Sequence, residues 1–430
     1  MKPSGRRSAS LRHVILGNSV AGIAAAQEIR RHDPEAGIVI VSDEPLHGYS
    51  RAMLPLYIAG KKRKGELVFA PRSFYAERRL RLLRGAAEAV DVSRRLVRLA
   101  DGKSLPFDRL LVATGSASRT LDVPGKELPG IFPLRKFADA EAIKQHARIG
   151  RRVVIVGGGL VGVKSLEAMA ARKKEIHLLI SSDRILSQML DRTASDLFLR
   201  AFERQGIRVH FRVDVAAFHG GERLEEVSLS DGTRLPCDLA IIGKGVDPCV
   251  ACLQGTGARL GQGVVVDERM ATSLPGIYAA GDVAEPFEVL QRKNLPSTIW
   301  PSAAEGGRVA GLNMAGVPAT FSGALRMNSV EILGVRVISA GLREGQEQVA
   351  LLDEARPSYR KLIFADGRLD GFLLLGDVRS AGVLTALVKN RTEVSRQALA
   401  GDLRRGVSYR PRLYALGGVI RSQEFGGRGK

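Results

Sequence analysis

The sequence predicts an α/β protein in which two units of the same construction precede a smaller α+β domain at the C-terminal end. Three observations predict it. Leu11–Leu16 is a nearly unbroken apolar run that leads into Gly17-Asn18-Ser19-Val20-Ala21-Gly22 and then a helical pattern over Ile23–Arg31. The same order recurs at Arg152–Val156, Gly157-Gly158-Gly159-Leu160-Val161-Gly162 and a helical stretch reaching Lys173. From about Phe321 the pattern changes to short apolar strands at Val335–Ile338, Lys361–Phe364 and Gly371–Leu375, with a helix near Gly382–Lys389.

An apolar run with few breaks is what a strand buried on both faces requires. In the first unit a second strand, Gly37–Val41, follows the helix, and Asp43-Glu44 stands at its end. Glycines after a strand permit a tight turn and close backbone approach, and the helix behind them aims its N-terminus at an anion. The spacing therefore fits a dinucleotide-binding βαβ unit, with an acid near the second strand's end to hold ribose hydroxyls. Ser19 stands where the middle glycine of the fingerprint is expected and still allows close approach. The second unit has its second strand at Ile176–Ile180. One such turn is weak evidence, since glycine-rich turns also occur without a ligand. Two of them about 140 residues apart, each between strand and helix, point to two Rossmann-like, two-dinucleotide-binding domains.

Composition limits the alternatives. A chain of 430 residues suits two or three domains, and 45% hydrophobic with 26% charged residues is a globular mix. The longest uncharged apolar stretches, around Val14–Ala26 and Val153–Val163, are too short and too glycine-rich for a membrane span. Arg6-Arg7 is a pair found in twin-arginine export signals, but a strand–turn–helix pattern follows instead of an apolar core and cleavage site, so a cytoplasmic protein is expected. Three cysteines give no disulfide framework. The seven histidines show no metal-ligand spacing. The net charge of +20 implies either an acidic partner or a merely well-solvated arginine-rich surface. Nucleic acid is not expected, because no zinc-finger spacing, RNA-stacking motif or long basic helix accompanies the charge.

Further segments carry a resemblance. Phe107-Asp108-Arg109-Leu110-Leu111-Val112-Ala113-Thr114-Gly115 looks like the strand with an Ala-Thr-Gly end that closes the first FAD segment of two-dinucleotide flavoproteins. Gly276-Ile277-Tyr278-Ala279-Ala280-Gly281-Asp282-Val283-Ala284 looks like their second flavin motif, and Cys237–Gly245 occupies the place of a second, degenerate Ala-Thr-Gly segment. Together these resemble the FAD-dependent pyridine nucleotide-disulfide oxidoreductase superfamily. Tyr49–Tyr57, Trp300–Arg308 and Met327–Glu331 resemble the subgroup of NADH oxidases, NADH–rubredoxin reductases and the flavin portion of nitrite reductase.

The resemblance implies an FAD domain of residues 1–120 and 246–320, with an NAD(P) domain of 121–245 inserted between them. Leu121–Pro133 and Gly245–Pro248 read as the crossings. Residues 321–430 would form the interface of a homodimer and close over the flavin, with a poorly defined tail after about 394. The implied FAD-binding residues are Gly17, Ser19, Val20, Ala21, Gly22, Asp43, Glu44, Arg51, Ala113, Thr114, Gly115, Gly281, Asp282 and Ala303. Asp282 would bond the ribityl chain. Arg51 is read as a clamp on the FAD phosphates or as an ordinary surface arginine. A helix opening near Ala303–Gly306 would face the flavin edge that gains negative charge. Trp300 either flanks the ring or packs in the core. The implied NAD(P)-binding residues are Gly157, Gly159, Leu160, Val161, Gly162, Ser181, Arg184 and Gly245. No catalytic side chain is assigned, because hydride passes between the cofactors themselves.

The departures narrow the chemistry. Relatives that act through a redox cysteine carry it in the region matching Ser50–Pro55, whereas this chain has no cysteine before Cys237. A thiolate relay is absent there, so electrons leave flavin directly. Cys249-Val250-Ala251-Cys252 is either a redox dithiol or two small apolar residues at domain re-entry. Lys164 stands where many relatives place a glutamate near the nicotinamide, and it either retunes hydride transfer or lies on the helix surface. No acid stands at Ile180 to repel a 2′-phosphate, yet no arginine pair replaces it, and the all-glycine turn favours NAD(H) over NADP(H). Lys61-Lys62-Arg63-Lys64, then Arg72, Arg78, Arg79, Arg81 and Arg84, suit a small acidic iron–sulfur carrier of ferredoxin or rubredoxin type, or form a solvated face. The alternatives are an NADH oxidase reducing oxygen and the flavin subunit of a larger redox complex.

Overall fold

The computed structural model describes residues 11–353 and 358–405. The expectations for Met1–Ser10 and for the tail past residue 405 fall outside them. The described residues form two compact units, one running to Arg326 and taking in Ile332–Gly334, the other Met327–Glu331 with the described residues from Val335 to Arg405.

The larger unit holds two five-stranded parallel sheets. The first has the order Ile277–Ala279, Arg109–Val112, Arg12–Leu16, Gly37–Ser42, Arg81–Arg84. Its central strand is sandwiched, so Val14, Ile15 and Leu16 are buried whichever face they point to. The helix Val20–His32 follows the first turn, and the helix Trp300–Met314 crosses it at small residues. A Cβ at Gly307 would lie 2.2 Å from the Ala21 carbonyl oxygen, and one at Gly311 2.5 Å from that of Ala25. Larger residues would force these two helices apart.

The second sheet has the order Arg208–Phe211, Glu175–Ile180, Arg152–Val156, Leu239–Ile242, Ile131–Pro133. Its last strand lies inside the stretch read from sequence as a bare crossing. Pro133 has no N–H to give a further neighbour, which an edge strand tolerates. Each parallel sheet is accompanied by a three-stranded antiparallel one: Ala87–Asp91, Leu96–Leu99 and Ser104–Pro106 in the first half, Val215–His219, Glu226–Leu229 and Arg234–Pro236 in the second. Strand Ile277–Ala279 joins the first sheet only after the second is complete. The outgoing Ser116–Ser118 and the returning Val246–Pro248 pair as an antiparallel ribbon, Ser116 opposite Pro248.

The smaller unit is a five-stranded sheet in the order Met327–Ile332, Val335–Gly341, Arg368–Leu375, Ser358–Ala365, Glu347–Asp353. Its central pairings are antiparallel, with Ala340 opposite Phe372 and Leu362 opposite Phe372 on the other side. The helices Ala381–Lys389 and Arg396–Arg405 follow.

Candidate cofactor and active site

The first turn is built by steric necessity. Gly17 has φ +127°, and a Cβ there would sit 2.0 Å from the Ala113 carbonyl oxygen. Only glycine lets this strand end lie against the Ala113-Thr114-Gly115 segment. Behind it, the helix Val20–His32 carries no acid in its first turn and no side-chain cap, while Arg30, Arg31 and His32 occupy its last. Its N-terminal amides and dipole are thus left for an anion. Asn18 adds a donor: its Oδ1 accepts from the Tyr75 hydroxyl at 2.6 Å, while its buried Nδ2 has no partner. An unmatched buried amide in a glycine turn fits a phosphate-bearing cofactor.

The two acids after the second strand differ. Glu44 is 8% exposed and is held by the Arg51 guanidinium and, at 2.6 Å, by the Tyr49 hydroxyl. Asp43 is 52% exposed and accepts from Lys136 at 2.6 Å. Arg51 also donates to the Ser19 hydroxyl at 2.9 Å, so it spans the turn and the inner acid and is no ordinary surface residue. Ser19 consequently does not cap its helix. Gly281 brings Asp282 beside the first turn of that helix, where a Cβ on Gly281 would be 3.2 Å from Ala21 Cβ. Asp282 Oδ2 accepts from Ser116 at 2.9 Å and from Arg135 at 2.6 Å. Thr114 donates to the Cys249 carbonyl at 2.7 Å, and the Cys249 N–H donates to Gly115 at 2.9 Å, tying the first turn to the returning chain.

The second turn repeats the first. Gly157 has φ +112°, and a Cβ would be 2.3 Å from the Gly243 oxygen, so Gly243-Lys244-Gly245 holds the place that Ala113-Thr114-Gly115 holds in the first half. A Cβ on Gly162 would meet the Gly157 oxygen at 1.8 Å, whereas one on Gly159 meets nothing within 4 Å. The helix Leu160–Ala170 again starts without an acid or a side-chain cap, with Val161 exposed in its first turn. Ser181 is exposed at the strand end. Arg184 is turned back onto Asp183 at 2.9 Å and onto the Leu190 carbonyl at 3.3 Å.

The profile of the pyridine nucleotide-disulphide oxidoreductase family matches residues 11–307, both turns included, and that of the rubredoxin NAD+ reductase C-terminal domain matches residues 327–392. The chain belongs to the pyridine nucleotide-disulphide oxidoreductase family. It is an enzyme, and membership implies FAD and a pyridine nucleotide as its cofactors. It is 30% identical over 391 residues to the NADH-dependent phenylglyoxylate dehydrogenase subunit epsilon of Aromatoleum evansii, covering 89% of this chain and 93% of that one. It is 31% identical over 399 residues to the chlorobenzene dioxygenase ferredoxin reductase component of a Cupriavidus species, covering 90% and 94%. Among solved structures, a ferredoxin reductase from Rhodopseudomonas palustris superposes with a TM-score of 0.86 at 25% identity, covering 92% of this chain and all of that one.

Several expectations for this oxidoreductase need correction. The helix expected to open near Ala303–Gly306 begins at Trp300, because Pro301 suits a first helical position. The Ala303 N–H is therefore already spent on the Ile299 carbonyl at 3.0 Å and is not free for a ligand. Trp300 is 39% exposed and meets Phe69 edge to face at 5.3 Å, which removes the core-packing alternative. Lys164 pairs with Glu167 on the same helix. Burial pushes the Cys249 thiol up and the Cys252 thiol up to about 11, which disfavours the thiolate a dithiol relay needs. Of the basic run, Lys62 pairs with Glu66 and Lys64 lies 4.9 Å from the Phe137 ring, while Arg72, Arg81 and Arg84 are exposed. Among the described residues no helix is long and apolar enough to cross a membrane, and no group of His, Cys, Asp and Glu could hold a metal. Sequence reasoning missed Asn18, Tyr49 and Arg135, since a lone polar residue beside a motif has no period to betray it.

Proposed function

We propose that this protein is an FAD-dependent reductase that takes hydride from NAD(P)H and passes electrons to a small iron–sulfur protein of ferredoxin or rubredoxin type. The observation that carries the reading is a duplicated glycine turn, together with a Ser50–Pro55 segment that holds no cysteine. When bound, FAD supplies the conversion of a two-electron hydride donor into an electron source for a one-electron acceptor. The chain's own residues bind and orient. Gly17, Ser19, Val20, Ala21 and Gly22, with the Asn18 amide, form the phosphate cradle of residues 1–120 and 246–320. Arg51 neutralises charge between the phosphates and Glu44, and Ala113, Thr114, Gly115, Gly281 and Asp282 line the ribityl side. The N–H groups of Trp300 and Ser302 take over the task first given to Ala303. Gly157, Gly159, Leu160, Val161, Gly162, Ser181 and Gly245 hold the nicotinamide nucleotide in residues 121–245, and Arg184, turned back onto Asp183, drops out of the set.

NADH is the favoured donor, because the Arg184 side chain is taken up by Asp183 and the Leu190 carbonyl, and Arg192 also approaches Asp183 to 3.5 Å. An acidic carrier would use the exposed arginines after residue 60, and residues 321–430 would form a homodimer interface. The relative named as subunit epsilon of a dehydrogenase, matched over 93% of its length, supports a second reading as the flavin subunit of a larger assembly. Anaerobic reduction by NADH, followed by mixing with ferredoxin, rubredoxin, a viologen dye or oxygen, tests these readings at flavin wavelengths. Fast reoxidation by a carrier that slows between low and high salt is expected. Reoxidation by oxygen alone would make the protein an oxidase, and a flavin that no nicotinamide reduces would reject the proposal.

A further inference from the structure

Three consecutive residues of the second half each engage a residue assigned to the flavin in the first. Arg135 donates through Nη2 to Asp282 Oδ2 at 2.6 Å and to the Ser116 hydroxyl at 2.7 Å, and through Nε to the Ser116 carbonyl at 3.0 Å. Lys136 donates to Asp43 at 2.6 Å. The Phe137 N–H points between the Tyr49 hydroxyl at 3.0 Å and Glu44 Oε2 at 3.4 Å, and its buried ring packs on Tyr57 at 5.1 Å. The segment is itself pre-set, because Asp139 Oδ2 accepts the N–H groups of Arg135 at 2.9 Å and Lys136 at 2.7 Å where the helix Phe137–Ile149 starts. It follows directly on the edge strand of the second sheet.

We infer that Arg135-Lys136-Phe137 is a three-point latch that fixes the nicotinamide half against the flavin half, and that Arg135 is a positioning residue for hydride transfer. The inference rests on the cofactor reading above and adds to it how the two ring systems are brought into register. Arg135 and Ser116 both meet Oδ2 of Asp282, which sets the carboxylate's rotamer and turns Oδ1 to the other side. The same guanidinium grips the outgoing crossing at Ser116, so a change in the angle between the halves is felt at Asp282. Hydride transfer needs near-contact alignment, and a misplacement of about 1 Å can cost two orders of magnitude in rate. Arginine's planar fork holds hydroxyl, carbonyl and carboxylate at fixed mutual angles, which a rotatable lysine ammonium on a flexible stem does less well.

The test is stopped-flow anaerobic reduction of flavin-loaded protein by NADH, resolving the rate constant from the NADH dissociation constant. Arg135→Met is expected to slow reduction by about tenfold or more while NADH affinity stays within about twofold, and Arg135→Lys to recover part of the rate. Lys126→Ala, which breaks an exposed pair with Asp122, serves as the unaffected control. A brace with no role in alignment would lower the melting temperature and leave the rate constant alone, and a wild-type rate in folded Arg135→Met overturns the inference. If that variant does not retain FAD, Ser116→Ala is read in the same way: a slowing of about threefold supports the latch, and an unchanged rate overturns it. Wild-type protein whose flavin NADH and NADPH both leave oxidised would instead overturn the cofactor reading, and the latch with it.

Discussion

The strands Arg12–Leu16 and Arg152–Val156 start and finish alike. At the start, the Arg12 guanidinium and backbone N–H both bind Asp108, and those of Arg152 both bind Asp238. In each half the arginine and its N–H hold the aspartate well below the usual carboxylate range, to about 2. At the finish, Gly17 presses on the Ala113 carbonyl just past Arg109–Val112, and Gly157 on the Gly243 carbonyl just past Leu239–Ile242. Between these points the halves diverge. His13 faces Ile38 where Val153 faces Ile176, Ser19 stands where Gly159 does, and Asp43-Glu44 answers to Ser181-Ser182. What is shared is demanded by backbone geometry and by closing the sheet's lower edge. What differs is free to choose the ligand, so the divergent positions are where cofactor identity is written.

The largest effect expected from breaking this comparison is at the turns. Gly17→Ala should cost about 3 kcal/mol or more and yield protein without flavin absorbance, because strain and a backbone clash coincide. Gly157→Ala should keep its FAD and lose reduction by NADH, and a yellow, NADH-reducible Gly17→Ala variant would break the assignment of halves. Next comes His13, buried with both ring nitrogens unpartnered and its pKa pushed down by burial to about 4. Between pH 6.5 and 4 the unfolded chain binds this proton and the native state does not, so stability falls as pH drops through that window. His13→Val, which copies the second half, should remove that loss, worth on the order of 3 kcal/mol at pH 4, as read by urea unfolding at pH 7 and pH 4. The Arg–Asp pairs contribute above the unfolded carboxylate range and fade only towards pH 2, in both halves equally. A smaller change is expected at Ser181→Glu. Repulsion of a 2′-phosphate should raise the kcat/KM preference for NADH over NADPH by about tenfold. Smallest is Gly159→Ser, copying Ser19 into open space, with stability within about 1 kcal/mol of wild type by thermal melting.

Both glycine units, the return of the chain to the first turn at Gly281-Asp282 and the smaller sheet domain were readable in the sequence, because buried strands and positive-φ turns leave few residue choices. The helix start at Trp300 was not read, since the resemblance set it three residues late and Pro301 was not weighed. The strand Ile131–Pro133 was hidden by the prolines that make it an edge. His13 was invisible because a histidine in a strand is ordinarily read as half-exposed. Arg135 and Lys136 could not be found at all from one sequence, since their partners lie 147 and 93 positions away.

The ribbon of Ser116–Ser118 with Val246–Pro248 places the exit from the first half beside the re-entry to it. The chain between them therefore leaves and returns through one doorway, like a drawer in a cabinet. A short turn joining Ser118 to Val246 would let the remaining chain close its own parallel sheet, and a foreign module with neighbouring ends could be spliced into the gap. The ribbon thus lets one half be exchanged without rebuilding the sheet of the other.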